Sequence, residues 1–412
     1  MLHEHEHDET TKKKTLISLF LKYGGNVMRV YRLHAILLPI LLPHTFALSI
    51  PPRHVIVIGK LILDVYGHPS VEDPSVSVGG GGPQAAFGAA AALAVLDCYD
   101  LDGSCTAKLT SDTPPAQPVT FIGPVGNDWT HQQTLAFKSM LGPAIVAEPI
   151  LIPSEDHITP RIRLWHDEEQ NVHWYAENDS FGSNGADGLW RDRPSSRDIV
   201  SALNEQSLRN EAILHIIIEV GADAAGAGLD SAPLRDSRLL ERLSFVGVEP
   251  VAFVDDKTGA ISDRDALFIV NMIDSLPSLD FLCPDQDMDK ALRRSNLYTR
   301  ATQVATRYGP KGSFLYRSEN IANDPIPVPT ATLSTPDGKP VNPTGAGNAY
   351  SAAMTAMLGN GVTMTKAAAM ATAVGAIVCE YEGLPTEWSW SLLDRVHQAA
   401  SEVEQKMAKS GE

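Results

Sequence analysis

The chain has 412 residues, of which 43% are hydrophobic and 20% charged, a globular composition long enough to bury a sizeable core. Its formal net charge of −17 excludes broad, non-specific nucleic-acid binding, which needs a basic surface, but leaves room for a small anion in a local pocket. Four cysteines occur, Cys98, Cys105, Cys283 and Cys379, with no C-x-x-C spacing of a zinc or redox site. So few cysteines favour a reduced interior over a Cys98–Cys105 disulfide.

Residues 1–14 alternate His and Glu before a lysine run. That pattern could bind a transition metal weakly, but a solvated tail is the expectation. Arg29 and Arg32 then precede an apolar run, and Ala47-Leu48-Ser49 resembles a small-x-small cleavage site. Translation from Met28 would make this an organellar or secretory targeting peptide; otherwise a cytoplasmic location is expected. Pro39 and Pro43 interrupt the run, which is too short to span a membrane. Residues 1–52 are therefore expected to lie outside the fold, as a disordered or targeting segment. The folded domain is expected over 53–402, without membrane contact, and a C-terminal tail over 403–412.

His54–Gly59 reads as a buried strand, with Asp64 just beyond it. Gly79-Gly80-Gly81-Gly82-Pro83-Gln84 leads into Ala85–Val95, a nearly all-alanine helix suited to close packing on a sheet. Residues 97–118 are a polar, Pro-rich insertion. Val119–Gly123 is a strand closing on Val125-Gly126-Asn127-Asp128. Arg161–His166 and Val172–Tyr175 form a hairpin around a polar tip, followed by a loop at 178–196. Strands are predicted at Ile213–Val220, Pro250–Val254 and Phe281–Cys283, and helices at Leu239–Leu243 and Ser262–Leu276. Gln303–Arg307 and Ser313–Tyr316 pair around Gly309 and Gly312. Ala349–Leu358, Thr365–Glu380 and Trp390–Met407 are helices. Alternating strands and helices imply a mostly parallel sheet covered on both faces, with ligands beyond the carboxyl ends of its strands. Asp64, Gly79–Gln84, Asp285 and Gly345–Asn348 all follow predicted strands and could share one rim.

The turn Thr344-Gly345-Ala346-Gly347-Asn348 has the make-up of an anion site. Pro343 stops what precedes it, and the two glycines open backbone angles closed to other residues. The helix that follows begins with free N–H groups and a partial positive charge, which suit a phosphate. A Gly-rich helix entry that serves only packing would look the same in isolation. Gly79–Gly82, with Gln84 as donor and acceptor, and Asp64 as an acceptor for hydroxyls, add a second half to the site.

In this order the motifs resemble the PfkB carbohydrate kinase family. Gly79–Ala86 is similar to that family's first signature, GGxxxNxA, with Gln84 where Asn is usual. Ile122–Asp128 looks like its Gly-x-x-Gly-x-Asp turn, and Pro284–Met288 lies where it has Pro-Asn-x-x-Glu. Val341–Asn348 resembles the second signature, Val-Asp-Thr-Thr-Gly-Ala-Gly-Asp. The resemblance spans residues 54 to 400. It implies an α/β fold, a ribokinase-like three-layer sandwich with a mostly parallel central sheet and a small β lid. It further implies transfer of the γ-phosphate of ATP, with Mg²⁺, to a hydroxymethyl group of a sugar or nucleoside. Gly345, Ala346 and Gly347 would hold the phosphates, and Asp64, Gly80 and Gln84 the acceptor. Gly309 and Gly312 would border the nucleotide. The hairpin at 161–175 would belong to the lid, often also a homodimer contact.

Three acidic positions of the family are replaced. The catalytic base, Asp in the signature, is Asn348, and an amide cannot take a proton at neutral pH. The upstream Asp is Asn342. The Glu associated with magnesium falls on Met288, leaving Asp285, Asp287 and Asp289 nearby as candidate carboxylates. Losing a base costs about 10²–10⁴ in rate. The chain then reads either as a weak or specialised kinase or as an impaired nucleotide- and sugar-binding pseudokinase. Asn348 and Gly383-Leu384-Pro385 resemble the fungal killer-virus maintenance branch of the family.

Overall fold

The computed structural model describes residues 53–73, 75–99, 104–166, 172–177, 212–220, 243–252, 261–274, 276, 278–293, 297–317, 325–332 and 342–410. The chain divides into two units, Met1–Ile50 and Pro51–Glu412. The reading of 1–52 as a tail or targeting segment falls outside the described residues, as do the loop at 178–196 and Val341.

The larger unit is built on a nine-stranded sheet. From edge to edge it runs β13 (Ile326–Val328), β12 (Ser313–Arg317), β11 (Gln303–Arg307), β10 (Phe281–Leu282), β9 (Leu243–Ala252), β8 (Ala212–Val220), β1 (Val55–Ile58), β4 (Val119–Val125) and β5 (Ile150–Pro153). All pairings from β11 to β5 are parallel; β12 and β13 join antiparallel at one edge. Alternate residues of β1 serve different cores, as a two-residue period requires. Val55 and Val57 pack with the alanine-rich helices, whereas Ile56 and Ile58 pack with the opposite layer.

One layer holds α1 (Gly81–Cys98), α6 (Ala346–Gly359), α7 (Met364–Val378) and α8 (Trp390–Ser410). Gly82 through Val95 of α1 and Ala349 through Gly359 of α6 are buried without interruption. A helix apolar on every side must be enclosed, and small side chains let these two approach closely. The opposite layer holds α3 (Asp263–Asp274), α4 (Gln286–Leu292) and α5 (Leu297–Arg300). The remaining helix, α2 (His131–Leu141), starts with a capping box between Thr130 and Gln133.

A second sheet has the order β3-β2-β6-β7, with β2 at Ile62–Tyr66, β3 at Ser75–Gly79, β6 at Arg161–His166 and β7 at Val172–Ala176. The expected hairpin is its β6–β7 edge, with the tip at 167–171 outside the described residues. Asp128, from the turn after β4, fixes the entry to β6. It accepts from Thr159 N at 2.6 Å and pairs with Arg161 at 2.9 Å.

Several expectations are corrected. Asp64, expected just beyond the first strand, lies inside a strand of its own, β2. Gly81, Gly82, Pro83 and Gln84 form the first turn of α1 and are not a loop before it. Leu243 starts β9, which was expected to begin at Pro250, and it is not the end of a helix. The segment from 403 is helical to Ser410, and Val403 is fully buried. Cys98 and Cys105 are joined in a disulfide, with Cα atoms 5.1 Å apart. The 104–113 segment it tethers is braced on the C-terminal region, where Trp390 Nε1 donates to Ser111 O at 2.8 Å. Burial pushes the free thiols of Cys283 and Cys379 up to about 12 and about 11, which disfavours the thiolate in both. Among the described residues no helix is long and apolar enough to cross a membrane.

Candidate active site

Two helices begin at the same place. Gly80 precedes α1 with φ +93°, and Gly345 precedes α6 with φ +81°. A side chain at Gly345 would be strained by that φ, and its Cβ would come within 1.8 Å of Gln84 Cδ. Gln84 Nε2 in turn donates to Thr344 O across a long 3.4 Å. A Cβ on Gly81 would come 2.9 Å from Asn348 Nδ2. The first turn of α1 and the turn 344–348 are thus in direct contact. Asn342 shapes the approach: its N donates to Cys379 O at 2.8 Å, and its Oδ1 accepts from Thr344 N at 3.0 Å. An amide oxygen accepts this bond as well as a carboxylate would.

Ala346 N bonds Pro343 O at 3.2 Å and Ala349 N bonds Gly345 O at 3.0 Å. Between them, Gly347 N and Asn348 N have no backbone acceptor among the described residues. These are the donors a helix start offers to an anion. A cation lies beside them. Arg307, the last residue of β11, brings Nη1 to 2.1 Å from where a Cβ on Gly347 would stand. Among the described residues its buried Nε has no hydrogen-bond partner.

Beneath this turn is a buried polar cluster. Glu249 on β9 has no solvent exposure. Its Oε1 accepts from Arg307 Nη1 at 2.7 Å and from Asn348 Nδ2 at 3.0 Å. His215 on β8 places Nε2 3.7 Å from Glu249 Oε2, too far for a hydrogen bond. His215 Nδ1 meets Thr355 Oγ1 at 2.9 Å, and that hydroxyl donates to Ser351 O at 3.0 Å, so Nδ1 carries a proton. Burial alone would raise the Glu249 pKa. Arg307, His215 and Asn348 outweigh it and hold the carboxyl below its usual range.

Asp64 is 1% exposed, with its carboxylate filling the space over Gly79, where a Cβ would stand 1.7 Å from Oδ2. Burial raises its pKa to about 7, and a 3.4 Å hydrogen bond from Tyr66 only partly opposes this. Gly383, at φ +77°, closes in from the C-terminal side: its Cβ would lie 2.8 Å from Ser77 Oγ and 3.6 Å from Tyr66 Oη. Asp64, Gly80, Gln84 and the 344–348 turn are therefore linked through the residues 79–81.

The other candidates lie around this centre. Gly309 and Gly312 make the turn between β11 and β12, next to Arg307. Asp285 also neighbours Arg307 through a bridge between strands, but its carboxylate caps α4, accepting from Asp287 N at 3.0 Å and Met288 N at 2.8 Å. Asp287 pairs with Lys290 at 2.8 Å. Asp289 is buried and bound to Arg293, Thr306 and Tyr298. Among the described residues no group of three His, Cys, Asp or Glu side chains is gathered to hold a metal ion. Two residues central to the cluster, Glu249 and Arg307, were not singled out from sequence. The strand predicted from Pro250 left Glu249 outside it, and only the full length of β9 makes it an interior charge.

Residues 276–390 match the model of the pfkB family carbohydrate kinases, a stretch that includes β11, the Gly309–Gly312 turn and the 344–348 turn. No curated protein matches the chain significantly. Among solved structures, a nucleoside kinase of Methanocaldococcus jannaschii, an archaeal member of the ribokinase family, is 16% identical. The match covers 84% of this chain and 98% of that one, with TM-score 0.52. A ribokinase of Giardia lamblia is 16% identical over 85% of this chain and 99% of that one, with TM-score 0.52. A ribokinase of Arabidopsis thaliana, complexed with ribose and ATP, is 14% identical over 85% and 99%, with TM-score 0.50. These likenesses show the fold.

Proposed function

We propose, on the premise of a ribokinase-like α/β fold, that the chain transfers the γ-phosphate of ATP to a hydroxymethyl group of a sugar or nucleoside. One observation carries this reading: the N–H groups of Gly347 and Asn348, which have no backbone acceptor among the described residues, lie beside the Arg307 guanidinium where the first turn of α1 closes in. Donors fixed in the fold need no reorganisation when charge spreads over a transferring phosphoryl group. Gly345, Ala346 and Gly347 would cradle the phosphates, with Arg307 beside them. Gly309 and Gly312 would border the nucleotide. Gly80, Gln84 and Asp64 would take the acceptor under the β3-β2-β6-β7 sheet as a lid, which would also be the homodimer surface. Mg²⁺ would enter with the nucleotide, supplying charge neutralisation of its phosphates. Asp285 and Asp287 would reach it only by giving up a helix cap and an ion pair.

A second reading, a pseudokinase that binds nucleotide and sugar, is favoured by the amide at position 348. The nearer resemblance to the killer-virus maintenance branch rests on Asn348 and the turn at Gly383, and implies no acceptor. ADP release in the presence of Mg²⁺, measured over a panel of sugars and nucleosides, separates the readings. Turnover with any acceptor is expected. An ATP-dependent thermal shift with no turnover across the panel would leave the pseudokinase, and no shift with ATP or any sugar would remove both.

A further inference from the structure

Position 348 carries an amide where a carboxylate base is expected, yet a carboxylate stands one hydrogen bond away. Glu249 Oε1 accepts from Asn348 Nδ2 at 3.0 Å, and Glu249 is wholly enclosed. An ionised carboxylate only accepts hydrogen bonds, so the amide must present its NH₂ to Glu249. Asn348 Oδ1 is then turned away from Glu249 and held in one orientation as an acceptor.

We propose that Glu249 is a positioning residue for phosphoryl transfer: the acidic group of the site has moved from the start of α6 to strand β9, and it acts through Asn348. The proposal rests on the kinase reading above. In the transfer step the acceptor oxygen bonds to phosphorus as the bond from phosphorus to the leaving ADP oxygen breaks. Asn348 Oδ1 accepts the hydroxyl's hydrogen bond and aligns it, but does not keep the proton. The proton passes to an oxygen of the transferred phosphoryl group and from there to water, as a loose transition state allows. The charged and titratable groups facing Glu249 are Arg307 of β11 at 2.7 Å and His215 of β8 at 3.7 Å, with the buried Cys283 thiol after β10.

This arrangement predicts that positions 249 and 348 are exchangeable as a pair but not singly. In Asn348→Asp two carboxylates would face each other, and the new one would stay protonated near neutrality. In the double variant Asn348→Asp/Glu249→Gln, acid and amide trade places and the donor–acceptor pair is kept. Turnover is expected to rise less than about tenfold in Asn348→Asp and by about 10²–10⁴ in the double variant, which also gains an acidic limb in its pH profile. Glu249→Gln alone should lower turnover about tenfold or more while the ATP-induced thermal shift persists, because a neutral amide can present either end to Asn348. A full gain from Asn348→Asp alone, or a Glu249→Gln variant as active as the parent, overturns the proposal.

A second measurement needs no turnover. Melting temperature followed against pH should fall more steeply through the neutral range in Asn348→Asp than in the parent, as a second carboxyl with a raised pKa is forced to ionise, and the excess should vanish in the double variant. A curve for Asn348→Asp no steeper than the parent's, in a parent that turns over, removes Glu249 alone. Absence of turnover in every variant, with the pH signature present, removes the kinase reading and the role of Glu249 in transfer with it.

Discussion

A side chain on Gly345 would have to enter a left-handed backbone conformation and displace Gln84 from 1.8 Å. Gly345→Ala is therefore expected to abolish the ATP-induced thermal shift and to cost about 1–3 kcal/mol of stability, read by urea unfolding. Glu249→Ala should cost more, about 3–5 kcal/mol, since it strands the Arg307 cation in a largely buried place. Adding Arg307→Ala should recover part of that loss, so the two effects are not additive. Asp64 gives a pH dependence of known sign. Its folded pKa, about 7, is raised above the ordinary value of 3.8, so the native state holds a proton that the unfolded chain releases. Stability from this group is complete below about pH 4 and declines as pH rises toward 7, by about 1.4 kcal/mol for each unit of separation. Asp64→Asn should flatten that limb in thermal melts from pH 4 to 8. If the parent shows no such limb, the carboxyl is not enclosed in solution.

At the scale of elements, sequence periodicity located most of the architecture because strands such as Val55–Ile58 and helices such as Ala85–Val95 announce themselves by composition. It failed where composition is ambiguous. Gly81, Gly82 and Pro83 are poor helix formers in isolation, yet the close fit of α1 against Gly59 and Asn348 makes them part of its first turn. Residues 243–249 mix Ser, Gly and Glu, so only the end of β9 from Pro250 reads as a strand, and the identity of the rest comes from pairing with β8 and β10. The anion turn was legible because glycine spacing is local. The Glu249–Arg307–Asn348 cluster was not, because its members come from β9, β11 and α6 and meet only in three dimensions. The disulfide was likewise under-read: two cysteines seven apart raise a pairing that so few cysteines disfavour, and only the end of α1 facing the following segment brings them together. Closing so short a loop should contribute about 2.5 kcal/mol in the chain-entropy model. Reductant, or Cys98→Ser with Cys105→Ser, is expected to lower the unfolding free energy by that order without changing the response to ATP. An unchanged stability under reducing conditions would mean that the pair is not formed.

Over the whole molecule, a formal charge of −17 opposes the approach of a polyanion even though the site itself offers N–H groups and a guanidinium. Long-range repulsion acts through solvent and is screened over roughly 8 Å at physiological ionic strength, while contacts inside the site are screened far less. Raising salt from about 0.01 M to 0.15 M should therefore speed ATP association, seen by stopped-flow fluorescence, with little change in dissociation. A slower association at higher salt would place a basic approach path somewhere on the acidic surface.

The spacing between the two helix starts is set within a turn of the site. Gly88 of α1 lies against the backbone of Ala349, where a Cβ would come 2.3 Å from the carbonyl oxygen. That one missing methyl works as a gauge block: it fixes how near the acceptor side and the phosphate side stand, without touching either ligand. Enlarging it would wedge the two arms apart at their root. Gly88→Ala should thus weaken ATP and acceptor binding together, a paired loss that no substitution within either pocket alone would produce.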